Sequence, residues 1–231
     1  MKKVKSEASE YTLDEEDVRN IIDNTPTIRD KVIIELLAYT GCRRAELVLL
    51  RMMDINLELD MIMMPTVKQE KGTHHIIKKD LTTVELNKFR YNRIKLAYEY
   101  NRRVPIINND LKRDLLSYIQ QLKQQRRIIT TSRLIQSKKS ESISEPMINI
   151  IVAKASVKAG VKSPNPKRKQ VHPHMFRHTF VRYAKKYGLD YVNIQEIVGH
   201  SDISTTMSMY GKSTWNDKVS DAKKMQGYGV Q

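Results

Sequence analysis

The sequence predicts a mainly α-helical domain carrying one small antiparallel β-sheet, an α+β fold. Apolar residues recur at spacings of three and four along most of the chain, and glycines stand where those runs stop. Two short apolar runs bounded by polar residues have the length of strands. A chain of 231 residues can bury an apolar core without disulfide or metal staples.

Taken in order, residues 1–11 read as a tail or the stub of a linker. Thr12-Leu13-Asp14-Glu15 has the spacing of a capping box that opens a helix reaching Asp23. Pro26 and Thr27 restart the chain, and Ile28, Val32, Ile33, Leu36 and Leu37 stripe a second helix that Gly41 breaks. A short third helix spans 44–50, with Leu47 and Leu50 turned to the core. After Asp54 come the two strand-length runs, 61–64 and 104–107. Between them lies a basic stretch, 68–103, read partly as an extended hairpin and over 84–100 as an inserted helix. Leu111, Leu115, Ile119 and Leu122 mark an amphipathic helix; 124–145 is a polar surface loop with some structure at Arg133 to Ile135. Pro146 opens the next helix, where its missing N–H has no helical partner to lose, and Gly160 ends it. A loop over 163–170 leads to helices at 174–187, 191–198 and 204–209, the first two stopped by Gly188 and Gly199. In 211–231, Trp215, Val219, Ala222 and Met225 give a narrow apolar stripe for a tail helix over 216–225, docking on its own domain or a neighbouring protomer.

Lys and Arg total 41 against 26 Asp and Glu, a formal charge of +15 with a pI near 9.8, which suits a polyanionic partner and nucleic acid first. No apolar run approaches the ~20 residues of a spanning helix, and the start lacks the apolar core of a signal peptide. The expectation is a chain without a membrane partner, in the cytoplasm. Cys42 is the only cysteine, which excludes an internal disulfide and a multi-cysteine zinc site; between Gly41 and Arg43 it reads as a packing residue.

Three segments carry chemistry. In Thr40-Gly41-Cys42-Arg43-Arg44-Ala45-Glu46-Leu47 a helix stops at glycine and an arginine sits in the connection, able to set its fork against an anion; solvated surface is the alternative. In His172-Pro173-His174-Met175-Phe176-Arg177-His178, His174 and Arg177 are three apart and share one face at a helix start, where free N–H groups also favour an anion. A metal reading of these histidines fails, because no cysteine or carboxylate sits at ligand spacing and Pro173 turns the first aside. Third, Gly199-His200-Ser201-Asp202 stands at a helix end, ten residues before Tyr210.

In this order the motifs resemble those of the tyrosine recombinase, or phage-type integrase, family: Thr-Gly-x-Arg-x-x-Glu-Leu, His-x-x-Arg-His, Leu-Gly-His and a tyrosine, here over residues 12–210. The resemblance implies the DNA breaking-rejoining catalytic fold, a helical domain with a three-stranded sheet that uses neither metal nor other cofactor. It implies that Arg43, His174, Arg177 and His200 hold the scissile phosphate, that Glu46 supports Arg43, and that Tyr210 attacks to give a 3′-phosphotyrosine. A lysine in a turn between strands serves as general acid; Lys68 is the first choice and Lys71 the alternative. The implied partners are double-stranded DNA with specific recombination sites and further copies of the chain, a tetramer on DNA in a prokaryotic host cell. Arg44, Lys71, Lys78, Lys79, Lys167, Arg168 and Lys169 are expected to face DNA, with a merely solvated surface as the alternative.

The chain departs from the family pattern in three places. The stretch after Lys68 is longer than the usual hairpin, Tyr210 follows His200 by one residue more than expected, and there is no room for an N-terminal core-binding domain. Two other readings stand beside the recombinase one: a type IB topoisomerase, which shares the chemistry, and a DNA-binding module of the same fold without catalysis.

Overall fold

The structure is a computed structural model that describes residues 11–67, 83–125, 129, 131–137 and 140–199, with the backbone alone over 83–90. Its helices are α1 (Glu15–Asp23), α2 (Ile28–Thr40), α3 (Arg44–Leu49), α4 (Thr83–Glu99), α5 (Asn109–Gln124), α6 (Glu145–Lys158), α7 (Pro173–Lys186) and α8 (Tyr191–Val198). The strands β1 (Ile55–Asn56), β2 (Met61–Met64) and β3 (Arg102–Pro105) form one antiparallel sheet in the order β1-β2-β3. The mainly helical, small-sheet expectation holds.

Helix α2 organises the rest. Val32, Ile33, Ile34, Glu35, Leu36 and Leu37 are all buried, so the helix is covered on every side by α1, α5 and α7 rather than along one stripe. Thr27 caps its start by accepting from the Asp30 N–H, and Gly41 ends it in the left-handed conformation at φ +61°. No other residue suits this position: a Cβ on Gly41 would lie 2.8 Å from Cδ1 of Phe180 and 3.1 Å from Val198. That close approach seats the end of α2 against α7 and the end of α8.

Three boundaries differ from the sequence reading. The N-cap of α1 is Asp14, which accepts from the Asp17 N–H at 2.7 Å; Thr12 instead accepts from the Arg182 guanidinium. The third helix ends at Leu49, with Leu50 as its cap. The last strand is 102–105 rather than 104–107, in a register that pairs Met64 with Arg102, Ile62 with Val104 and Met61 with Pro105. Ile106 donates to the carbonyl of Asp60 in the β1–β2 turn, and Ile107 is exposed, so apolar character there did not mean strand.

The inserted helix is present as α4, and the basic stretch proves to be an excursion between two paired strands. Its neck is closed by the Thr66 N–H donating to the carbonyl of Ala97 at 2.9 Å. The structure expected around Arg133 is an isolated antiparallel bridge to Arg51, with Leu134 and Ile135 buried behind it. Among the described residues, no helix is long and apolar enough to cross a membrane.

Candidate active site

The three motif segments meet at the C-terminal ends of α2 and α8. A helix leaves its last carbonyls without intrahelical donors, and the partial negative charge there attracts cations. Arg177, on the first turns of α7, sends Nη1 to the carbonyls of Gly41 and Val198, each at 2.7 Å. Arg43, in the connection after α2, donates through Nη1 and Nη2 to the carbonyl of Gly199, each at 3.2 Å. Arg177 thus joins its own motif to both others, and Arg43 joins the first motif to the third.

Arg177 is only 3% exposed, yet its Nη2 has no hydrogen-bond partner among the described residues. Burial and then the nearby charge of Arg43 push its pKa down to about 9, which still leaves the guanidinium charged at neutral pH. Cys42, fully enclosed at the same junction, has its thiol pushed up to about 11 by burial and is a packing residue, not a nucleophile.

Glu46 is completely buried on α3 and lies between two arginines. Its carboxylate accepts from the backbone N–H of Arg43 at 2.8 Å and from Arg43 Nη1 at 2.9 Å. From the other side Arg102 donates Nη2 to Oε2 at 2.9 Å and Nη1 to Oε1 at 3.2 Å. Burial alone would raise this pKa, but Arg102 and Arg43 outweigh it and hold the group below the ordinary carboxylate value. Three guanidinium charges therefore surround one carboxylate.

His174 keeps an open edge toward solvent while His178 stands edge-on to its ring, centroids 4.5 Å apart at 82°. Burial of the rest of the ring, then the neighbouring His178, Arg177, His172 and Arg43, push its pKa down to about 3. His178 is lowered to about 4 by burial and by Arg177 and His172. Both rings are therefore neutral at physiological pH, and His174 can accept a proton. Among the described residues, no group of three or more His, Cys, Asp or Glu side chains is placed to hold a metal ion.

The model of the family described as "Phage integrase family" matches residues 11–216. The chain belongs to this family. Tyrosine recombinase XerA of Pyrococcus furiosus is 30% identical over 199 residues, covering 84% of this chain and 55% of that protein. Tyrosine recombinase XerC of Staphylococcus epidermidis is 29% identical over 188 residues, covering 80% and 49%. The chain spans about half the length of the curated relatives it matches. Among solved structures, a crystal structure of XerA recombinase superposes with a TM-score of 0.65 at 21% identity, over 93% of this chain and 63% of that one. The XerH site-specific recombinase bound to difH substrate gives 0.61 at 16% identity, over 93% and 52%. At such identities the likeness is one of fold, and the fold is that of the phage integrase family.

Of the residues matching the family's catalytic pattern, Arg43, His174 and Arg177 converge with Glu46 beside them. Lys68, His200 and Tyr210 lie outside the described residues, as do Lys71, Lys78, Lys79 and the predicted helices over 204–209 and 216–225. Arg44 is exposed and engages Glu145 at 2.8 Å and Asn149 at 3.1 Å on α6. Lys167, Arg168 and Lys169 are exposed in the loop before α7; Arg168 and Arg44 both lower the pKa of His172 after burial has done so, which puts both charges on the side where α7 begins. Arg102 was read only as one member of a basic run. Strand alternation held the signal: two residues before buried Val104, it shares the core face of β3, and an arginine there needs a carboxylate.

Proposed function

We propose that this chain is the catalytic domain of a tyrosine recombinase that cuts and rejoins double-stranded DNA at specific sites through a covalent bond to Tyr210. The observation that carries the reading is the buried Nη2 of Arg177 beside Arg43, without a hydrogen-bond partner among the described residues, in a cluster where those residues supply more guanidinium than carboxylate charge. A buried donor without an acceptor costs free energy, and an excess of buried cations calls for an anion. A phosphodiester meets both demands. Its non-bridging oxygens gain charge as the pentacoordinate transition state forms, and preorganised guanidinium forks stabilise that charge.

In the reaction, the Tyr210 oxygen attacks phosphorus as its proton passes to His174, a ring neutral at physiological pH whose depressed basicity rises when the negative phosphate enters beside it. The bond to the 5′-oxygen breaks, and that oxygen takes a proton from Lys68, with Lys71 as the alternative acid. The 3′-phosphotyrosine conserves the phosphodiester energy, so attack by an incoming 5′-hydroxyl reverses the steps and reseals the strand without ATP or metal. His200 adds a donor to the phosphate. Residues 12–210 form the catalytic unit. Arg44, Lys71, Lys78, Lys79, Lys167, Arg168 and Lys169 contact the DNA backbone, and the assembly on DNA is a homo-oligomer. XerH bound to difH substrate and the Tn1549 transposon integrase bound to transposon end DNA support duplex DNA as the partner.

A nicked suicide duplex, which loses a short fragment on cleavage and cannot reseal, tests this directly. The chain is expected to form a covalent protein–DNA adduct on it, mapped to Tyr210, and Tyr210→Phe is expected to abolish the adduct while leaving binding intact. An adduct that persists in Tyr210→Phe refutes the assignment. Binding should weaken with salt at a log–log slope of about −0.9 per neutralised phosphate.

A further inference from the structure

We propose that Arg102 is a positioning residue for the cleavage reaction: one guanidinium that ties the Arg43–Glu46 pair, the end of α8 leading to His200, and the strand exit leading to Lys68 into a single arrangement. The proposal rests on the recombinase reading above, and its experiment separates the two.

The side chain is 10% exposed and all three of its nitrogens are used. Nη1 and Nη2 grip both oxygens of Glu46, whose Oε1 also accepts from Arg43. Nε donates to the carbonyl of Ile197 at 2.7 Å, three residues before His200. Nη1 also donates to Thr66 Oγ1 at 3.0 Å, two residues before Lys68. The guanidinium lies flat against Gly199, where a Cβ would come within 2.9 Å of Nη1 and 3.0 Å of Cζ and Nε. Glycine there therefore serves close approach as well as the left-handed turn at φ +68°.

Four acceptors on three separate chain segments require a planar fork with donors in fixed directions. A lysine supplies the charge but not the geometry. Arg102 also stands beside the neck of the excursion, since Thr66 both accepts from its guanidinium and donates to Ala97 of α4. The long connection can thus leave the sheet without loosening the segment that starts toward Lys68. Arg102 touches neither phosphate nor nucleophile in this scheme; it acts through Glu46, Gly199 and Thr66.

The test measures single-turnover adduct formation by the 231-residue chain on the nicked suicide duplex, made with either oxygen or sulfur at the 5′-bridging position of the scissile phosphate. A 5′-thiolate leaves without a proton, so a sulfur bridge removes the need for the general acid alone. Arg102→Lys is expected to form adduct about 10²-fold more slowly on the oxygen bridge with DNA affinity close to that of the parent chain, a loss typical of misplaced catalytic groups. Sulfur should restore only part of that loss, because the grip on Glu46 is also gone. Thr66→Val severs only the arm toward Lys68; it should be slower on oxygen and match the parent chain on sulfur.

Parent rates for Arg102→Lys on oxygen, or a slower rate matched by an equal loss of DNA affinity, overturn the proposal. So does a Thr66→Val chain whose relative rate is the same on both bridges. Should Arg102→Lys fail to unfold cooperatively, the Thr66→Val pair of rates decides. If the parent chain itself forms no adduct, or Tyr210→Phe still forms one, the recombinase reading is what has failed.

Discussion

Helix α2 carries a buried charge cluster at its middle and another at its end, and the two are resolved in opposite ways. At the middle, Glu35 is wholly buried next to Asp114 of α5, which is paired with Lys31 at 2.7 Å and Arg113 at 3.1 Å. Burial, then the charge of Asp114, push Glu35 up to about 8, so at neutral pH it is mostly the uncharged acid. At the end, Arg43, Arg102 and Arg177 crowd one carboxylate, and guanidinium groups do not shed their charge. In the seam between α2 and α5 three carboxylates, Glu35, Asp114 and Asp110, face two cations, Lys31 and Arg113, and the proton on Glu35 restores the balance. Among the described residues the motif junction has no such outlet, and on the proposed function its surplus meets the scissile phosphate. A buried charge imbalance that titration can remove belongs to the scaffold; one that titration cannot remove marks the site.

The largest effect that would break this contrast is at Arg177. Arg177→Ala should lower the rate of adduct formation by about 10²–10³, the scale of losing a preorganised donor to a transition-state oxyanion, and Arg177→Lys should fall short of the parent as well. A lysine variant with the parent rate would mean that the unpartnered second nitrogen does no chemistry. Next in size is Gly41→Ala, which forces a left-handed alanine, at about 1–2 kcal/mol, into contact with Phe180. Thermal unfolding should show a melting temperature several degrees lower, at about 2–4 °C per kcal/mol for a chain of this size.

Glu35→Gln sharpens the other side of the contrast and carries a defined sign. A carboxyl whose folded pKa is raised gives its full stabilisation below the unfolded value near 4.5 and loses it as pH rises toward 8. Glutamine cannot ionise, so the variant should gain on the parent chain from pH 4.5 to 8 and level off above that. A melting-temperature difference that stays flat with pH would show that Glu35 is not the group titrating. The smallest effect is expected at Glu15, which meets Lys186 at 3.2 Å and the Tyr187 hydroxyl at 2.9 Å at the exposed rim. Solvent and salt screen such pairs, so Glu15→Gln should leave the melting temperature within error of the parent.

Much of this was legible in the sequence because it is local. Glycines at 41, 160, 188 and 199 do take up positive φ where the helical periodicity stops, and the segments bearing Arg43 and Arg177 meet as the family resemblance implied. What was not legible depends on partners far along the chain. Thr12 looked like a cap until Arg182 claimed it, and the acid that engages Arg44 is Glu145, a hundred and one residues away. Arg102 was hidden among the lysines and arginines of the excursion, because a count of charges does not say which one the strand turns inward. Ile106 and Ile107 drew the predicted strand two residues too far, since apolarity does not reveal which backbone groups pair.

The sheet itself treats the excursion as a turn. Met64 and Arg102 face one another across the ladder, so the chain leaves and re-enters at adjacent positions whatever lies between. Lengthening a flexible loop whose ends are already held costs little, about 0.6 kcal/mol for each doubling. Sequence added between the two strands, away from Thr66, the proposed acid Lys68 and the α4 residues that close the neck, would therefore place little toll on folding. On the recombinase reading, such an addition would change what the domain meets on DNA while the chemistry behind the sheet stands still.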